Sequence, residues 1–158
     1  MIDTLLIGAG ATAFLDLWSA ARSGFCGTPA PDYGLVGRWL AYFARGRFCH
    51  DAISKTAPVR GERAIGWIAH YLIGIAFAAA LLAVWPQWAH EPALVPALIV
   101  GIGSVAAPFL VMQPGMGLGL AASRAPNPAA ARIRSLTTHA VFGVGLYAAG
   151  WAARLIQF

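Results

Sequence analysis

Charge is what this sequence has least of. Only 11% of its 158 residues are Asp, Glu, Lys or Arg, against about 25% in an ordinary soluble domain. A surface in contact with water needs more charge than that, so much of this surface faces lipid. The other side of the same observation is a chain that is 59% hydrophobic with a mean hydropathy of +0.66. At this length one domain is the expectation.

Other absences narrow the function. Cysteine is limited to Cys26 and Cys49, which are too far apart for a Cys-x-x-Cys motif, so neither a zinc ribbon nor a thioredoxin-type centre is supported. If their shared polar segment is cytoplasmic, both are reduced thiols. The start, Met1-Ile2-Asp3, has no positive region, and Asp16 interrupts the apolar run that follows. It reads as a retained helix and not as a signal peptide. Gly8-Ala9-Gly10 and the stretch from Gly115 to Gly119 lack the strand-loop-helix setting and the Lys-Ser/Thr pair of a nucleotide loop. No internal repeat or low-complexity segment is present.

What is present is a set of four long apolar runs. A spanning helix needs about 20 mostly apolar residues, and residues 2–21, 64–85, 92–112 and 135–155 qualify. The fourth is extended at its start by Asn127 as cap and Pro128 as first helical residue. Pro108 lies inside the third run, and Pro114 is expected to break or kink the helix before a Gly-rich stretch that ends at Ser123. The fold class that follows is all-α: a polytopic four-transmembrane-helix bundle, with residues 22–63 as a long loop. In that loop Leu35, Val36, Trp39, Leu40 and Phe43 recur at helical spacing, with Arg38 and Arg45 elsewhere on the wheel. They predict a short amphipathic helix, lying on the cytoplasmic leaflet or packed beneath the bundle as a cap.

The basic residues set the orientation. Arg22, Arg38, Arg45, Arg47, Lys55, Arg60 and Arg63 lie between runs one and two, and Arg124, Arg132 and Arg134 between three and four. Only Arg154 falls near the opposite side. The positive-inside rule then makes both basic segments cytoplasmic and both termini non-cytoplasmic. The net charge of +5 is accounted for by topology and anionic headgroups, with no nucleic-acid partner. A bacterial inner membrane is the expected location.

Ionisable groups inside a spanning helix are costly and mark function by default. Here they are Asp16, His70 and His139, joined by Gln113 at the end of run three. Asp16 lies six residues before Arg22 and His70 seven after Arg63, each about 10 Å inside its basic boundary. His139, five residues after Arg134, lies about 7 Å inside. All four therefore share a depth on the cytoplasmic side. Small residues flank them at spacing four, such as Gly66 and Gly74 about His70 and Ser135 and Gly143 about His139, which permits close helix approach. A shared binding site of Asp16, His70, Gln113 and His139 is the candidate, with His50 and Asp51 in the loop placed to close over it. The plainer alternative is interhelical hydrogen bonding alone. Cys49-His50-Asp51 resembles a catalytic trio only on paper, because neighbours in sequence rarely present their side chains to one another.

Four function classes fit these residues. One is a transporter or an ion- or proton-handling protein, for which four helices suggest a homo-oligomer. A second is a haem- or metal-binding protein using His70 and His139, with Asp16 completing a metal site. A third is a membrane-embedded enzyme acting on an amphiphile, with a His-Asp pair as general base and orienting partner. The fourth is an accessory subunit. Transport ranks first.

The run Met-Gln-Pro-Gly-Met-Gly-Leu-Gly-Leu-Ala-Ala-Ser from Met112 to Ser123, followed by Arg134-Ser-Leu-Thr-Thr-His139 and Phe142-Gly-Val-Gly-Leu-Tyr147, resembles a bacterial inner-membrane family known only as a domain of unknown function. The resemblance covers nearly the whole chain. It implies a four-helix integral membrane protein and assigns no residue a role.

Overall fold

A computed structural model describes residues 2–27 and 29–156. Among the described residues every regular element is helical and no strand occurs. The elements are α1 (Ile2–Cys26), α2 (Tyr33–Phe43), α3 (Glu62–Val84), α4 (Leu94–Gly103), a single-turn α5 (Gln113–Gly115) and α6 (Pro128–Ile156). Short 3-10 turns add Ile53–Lys55, Pro86–Ala89 and Leu120–Ala122.

Three stretches are long and apolar enough to cross a membrane: Ile2–Phe25, Glu62–Val84 and Leu94–Gly115. The third shows how a helix survives an internal proline. Pro108 has no N–H to give to the carbonyl four residues back, and its ring crowds that carbonyl. The chain responds by widening into a π turn over Pro108–Met112, closed by the Gln113 N–H on the Pro108 carbonyl. The helix then runs past Pro114 to Gly115, beyond the expected end at Met112. α6 starts at Pro128 as expected, with the Asn127 side chain accepting from the Ala130 N–H at 3.1 Å.

The chain divides into two compact units. The first comprises Met1–Pro31, Tyr71–Ser104 and Leu136–Phe158. Its core is made of small residues as much as large ones: Ala11, Ala78, Leu81, Ala97 and Leu146 are completely buried. Leu17, Leu72, Ile99 and Leu155 point outward and are exposed. Water-soluble cores have the reverse pattern, and helix packing in lipid has this one. Glycine permits the contacts. A Cβ on Gly101 of α4 would strike the Gly143 backbone of α6, and one on Gly8 of α1 would strike the Ile75 backbone of α3. α1 also meets α6 through Gly10 on Ala149 and Gly145 on Ala11. Each of these pairs runs antiparallel, since residue numbers rise on one helix as they fall on the other.

The second unit comprises Asp32–His70 and Val105–Ser135. The amphipathic segment expected in the long loop forms as α2, capped by Asp32, whose side chain accepts from the Gly34 N–H. Its Trp39 packs with Ile53 and Met116, and Leu35, Leu40 and Phe43 adjoin them. Arg38, which the helical wheel left on the polar face, is held inside the unit. Its guanidinium pairs with both Glu62 carboxylate oxygens, at 2.7 and 2.8 Å, and donates to the Thr56 carbonyl at 3.0 Å. After Gly115 the backbone turns through Gly117 and Gly119, both at positive φ.

Candidate functional site

Asp16 and His139 lie in the first unit, and each is held by a hydroxyl on another helix. The Tyr71 O–H of α3 donates to Asp16 Oδ2 at 3.1 Å. Tyr71 is on the face that also carries Gly74, Ala78 and Leu81 toward the first unit's core. His70, one residue earlier, is turned about 100° away from that face.

The Ser104–His139 contact is tighter. Ser104 follows the end of α4 and is almost completely buried. Its Oγ lies 2.6 Å from His139 Nδ1 and also 2.6 Å from the Gly101 carbonyl. One hydroxyl proton faces two acceptors. If it goes to the carbonyl, the imidazole must donate through Nδ1 and Nε2 keeps a lone pair. If it goes to Nδ1, the ring proton sits on Nε2. The two states differ in the direction of the hydroxyl proton and in which ring nitrogen carries the imidazole proton.

The other predicted residues belong to the second unit. The His70 ring stacks on Tyr33, centroids 4.1 Å apart, with Trp67 edge-on at 5.9 Å. Gln113 is buried; its amide nitrogen reaches Ser135 Oγ at a long 3.4 Å, and its Oε1 is a buried acceptor without a partner. His50 is buried too, with Nδ1 3.1 Å from Thr56 Oγ1 and Nε2 without a partner. Burial pushes the His50 imidazole below the ordinary histidine value, and the Arg47 charge adds to this. The loop carrying His50 and Asp51 docks on the end of α5: the His50 N–H donates to Gly115 O and the Ile53 N–H to Met116 O. The Asp51 side chain is exposed.

Among the described residues no group of three or more His, Cys, Asp or Glu is placed to hold a metal ion. Cys49 is an exposed free thiol, and the Cys26 side chain lies outside the described residues. Sequence reasoning missed Tyr71, Ser104 and the Arg38–Glu62 clamp. A hydroxyl in an apolar run was the available signal for Ser104, and it gives no partner by itself.

No curated protein and no solved structure matches this chain. Residues 5–153 match the family described as Protein of unknown function (DUF2938), as the motif running from Met112 to Tyr147 implied. The chain belongs to that family.

Proposed function

We propose that this is a four-span integral protein of the cytoplasmic membrane that handles protons through its intramembrane hydroxyl-paired side chains. The fourth span is α6, whose residues 135–155 are apolar and whose Arg132 and Arg134 lie at the cytoplasmic end. Both basic segments face the cytoplasm in this reading. Two anchors support it. Arg22 stacks over Trp18 at 4.8 Å and Arg154 over Trp151 at 5.1 Å. Projected through the antiparallel α1–α6 contacts, Arg22 and Arg154 stand about 25 Å apart along the helix axes, close to the thickness of a hydrocarbon core.

The observation that carries the proton reading is that Asp16 and His139 each meet a hydroxyl on another helix inside apolar segments. Carboxylate, phenol, imidazole and alcohol are the side chains proton relays use. Such a relay needs no wide pore, so the homo-oligomer that a solute path would require is not needed. The test is proton uptake into vesicles holding the purified protein, driven by a potassium diffusion potential and read by a trapped pH dye. Wild type should acidify the lumen, and Asp16→Asn and His139→Gln should each lower the rate at least tenfold. Rates equal to those of empty vesicles for all three proteins sink the proposal.

A second reading rests on the Ser104–His139 distance itself. A serine 2.6 Å from an imidazole is the arrangement of a nucleophile and its base, which would suit an enzyme acting on an amphiphile. A fluorophosphonate probe that labels wild type and not Ser104→Ala would favour it over the proton reading.

A further inference from the structure

Below α2 the second unit has a recess of about 540 Å³, lined by Tyr42, Arg47, Asp51, Lys55 and Thr56. Its walls are fixed by hydrogen bonds. Trp39 Nε1 donates to the Phe48 carbonyl at 2.8 Å and the Tyr42 O–H to the Ala57 carbonyl at 3.1 Å. The end of α2 is closed by a Schellman motif: Gly46, at φ +67°, donates to Phe43 O and Arg47 to Tyr42 O. That turn brings both Arg45 and Arg47 over the Tyr42 ring, at 5.0 and 5.9 Å. The Thr56 hydroxyl is oriented by His50 Nδ1.

The charged side chains that line this recess stand at its surface. Arg38 is taken by Glu62, while Arg47, Lys55 and Asp51 are exposed. The Thr56 hydroxyl donates to the Ala52 carbonyl at 3.3 Å, while two exposed cations on one wall suit phosphate oxygens. A single carboxylate beside them repels a second negative charge and accepts an ammonium.

We propose that the recess binds a phosphate-bearing zwitterion, its phosphate at Arg47 and Lys55 and its ammonium at Asp51. The chemistry is that of phosphoethanolamine, either as a lipid headgroup or as a free ester. α2, as an amphipathic helix in a basic loop, would hold the recess at the membrane surface. The site is separate from the intramembrane pairs and does not depend on the proton reading.

The test is calorimetric titration of the detergent-purified full chain with dihexanoyl-phosphatidylethanolamine, with dihexanoyl-phosphatidylglycerol and with free phosphoethanolamine. Saturable binding of at least one ethanolamine probe is expected. Binding of the short-chain lipid alone identifies a headgroup site, and equal binding of the free ester identifies a soluble ligand. Arg47→Gln/Lys55→Gln should weaken that binding at least tenfold, and Arg60→Gln, an exposed cation outside the recess, less than twofold. Asp51→Asn should erase the preference for ethanolamine over glycerol. These side chains are exposed, so unchanged melting temperatures are expected and make the comparison valid. Failure of both ethanolamine probes to bind overturns the proposal, as does an equal loss in Arg60→Gln or an ethanolamine preference indifferent to Asp51.

Discussion

Both units bring backbones together at glycine, as at Gly101 in the first and at Gly37 and Gly66 in the second, but the second adds a clamp of directional polar contacts. In the first, helices approach through Gly8, Gly101 and Gly143, and leucine and isoleucine face outward. In the second, Arg38 ties α2 to Glu62 and to the loop carbonyls of Ile53 and Thr56, and buried Trp39 and His50 donate hydrogen bonds through side chain or backbone. The glycine contacts of the long apolar helices suit packing in lipid. In lipid, outward leucine carries no penalty and the gain comes from close backbone packing.

The comparison can be broken most severely at the α4–α6 crossing. Gly101→Leu puts atoms where the Gly143 backbone and the His139 carbonyl already lie, and no flexible side chain there can yield. A loss of about 3 kcal/mol is expected, read as a collapse of melting temperature and of monodisperse yield in detergent. In the second unit the equivalent break is Arg38→Ala, which strands the Glu62 carboxylate. The pair is mostly but not fully shielded, with side chains 11% and 16% exposed. The expected cost is about 2–3 kcal/mol, between the exposed and the buried range. Arg38→Lys, which keeps the charge and loses the bidentate fork, should recover part of it in the same melting assay.

A smaller effect separates the units by pH. The unfolded chain protonates His50 near the ordinary value of about 6.5, whereas the folded chain, which buries the imidazole, does so only at lower pH. The contribution of the neutral ring is therefore complete above that value and falls as pH drops below it. Wild type should lose more melting temperature between pH 7.5 and pH 5 than His50→Gln does. The smallest predicted change has the opposite sign. Gly24 on α1 has nothing within reach of an added Cβ, so Gly24→Ala should stabilise by about 0.5–1 kcal/mol. A loss there comparable to that of Gly101→Leu would mean that position 24 is crowded and that contact, not helix propensity, decides the effect.

The fold was more legible in the sequence than the contacts were. Apolar run length was enough for α1 and α3, and Asn127-Pro128 for the start of α6. Leu35, Trp39 and Phe43 marked α2, but the same wheel could not show that Arg38 turns inward, because its partner Glu62 is 24 residues away. Helix three was expected to stop at Pro114. It continues because the π turn after Pro108 shifts the hydrogen-bond register, a tertiary accommodation that composition does not encode. For the polar residues, depth estimates cannot tell His70 from Tyr71, which differ by about 1.5 Å in rise. The sequence did not single out Tyr71, whose hydroxyl donates to Asp16.

The proposed orientation puts the loop between α1 and α3 in water on the cytoplasmic side and the long apolar helices in lipid. Cys49, exposed in the second unit, reports on it directly. In cells producing a Cys26→Ser background, a membrane-impermeant maleimide should leave Cys49 unlabelled until the membrane is permeabilised. In a Cys26→Ser/Cys49→Ser background, Gln87→Cys, in the short turn after α3, should label in intact cells. Labelling of Cys49 from outside, with Gln87→Cys protected, would contradict the orientation, and labelling of neither after permeabilisation would contradict the assignment of these segments to water.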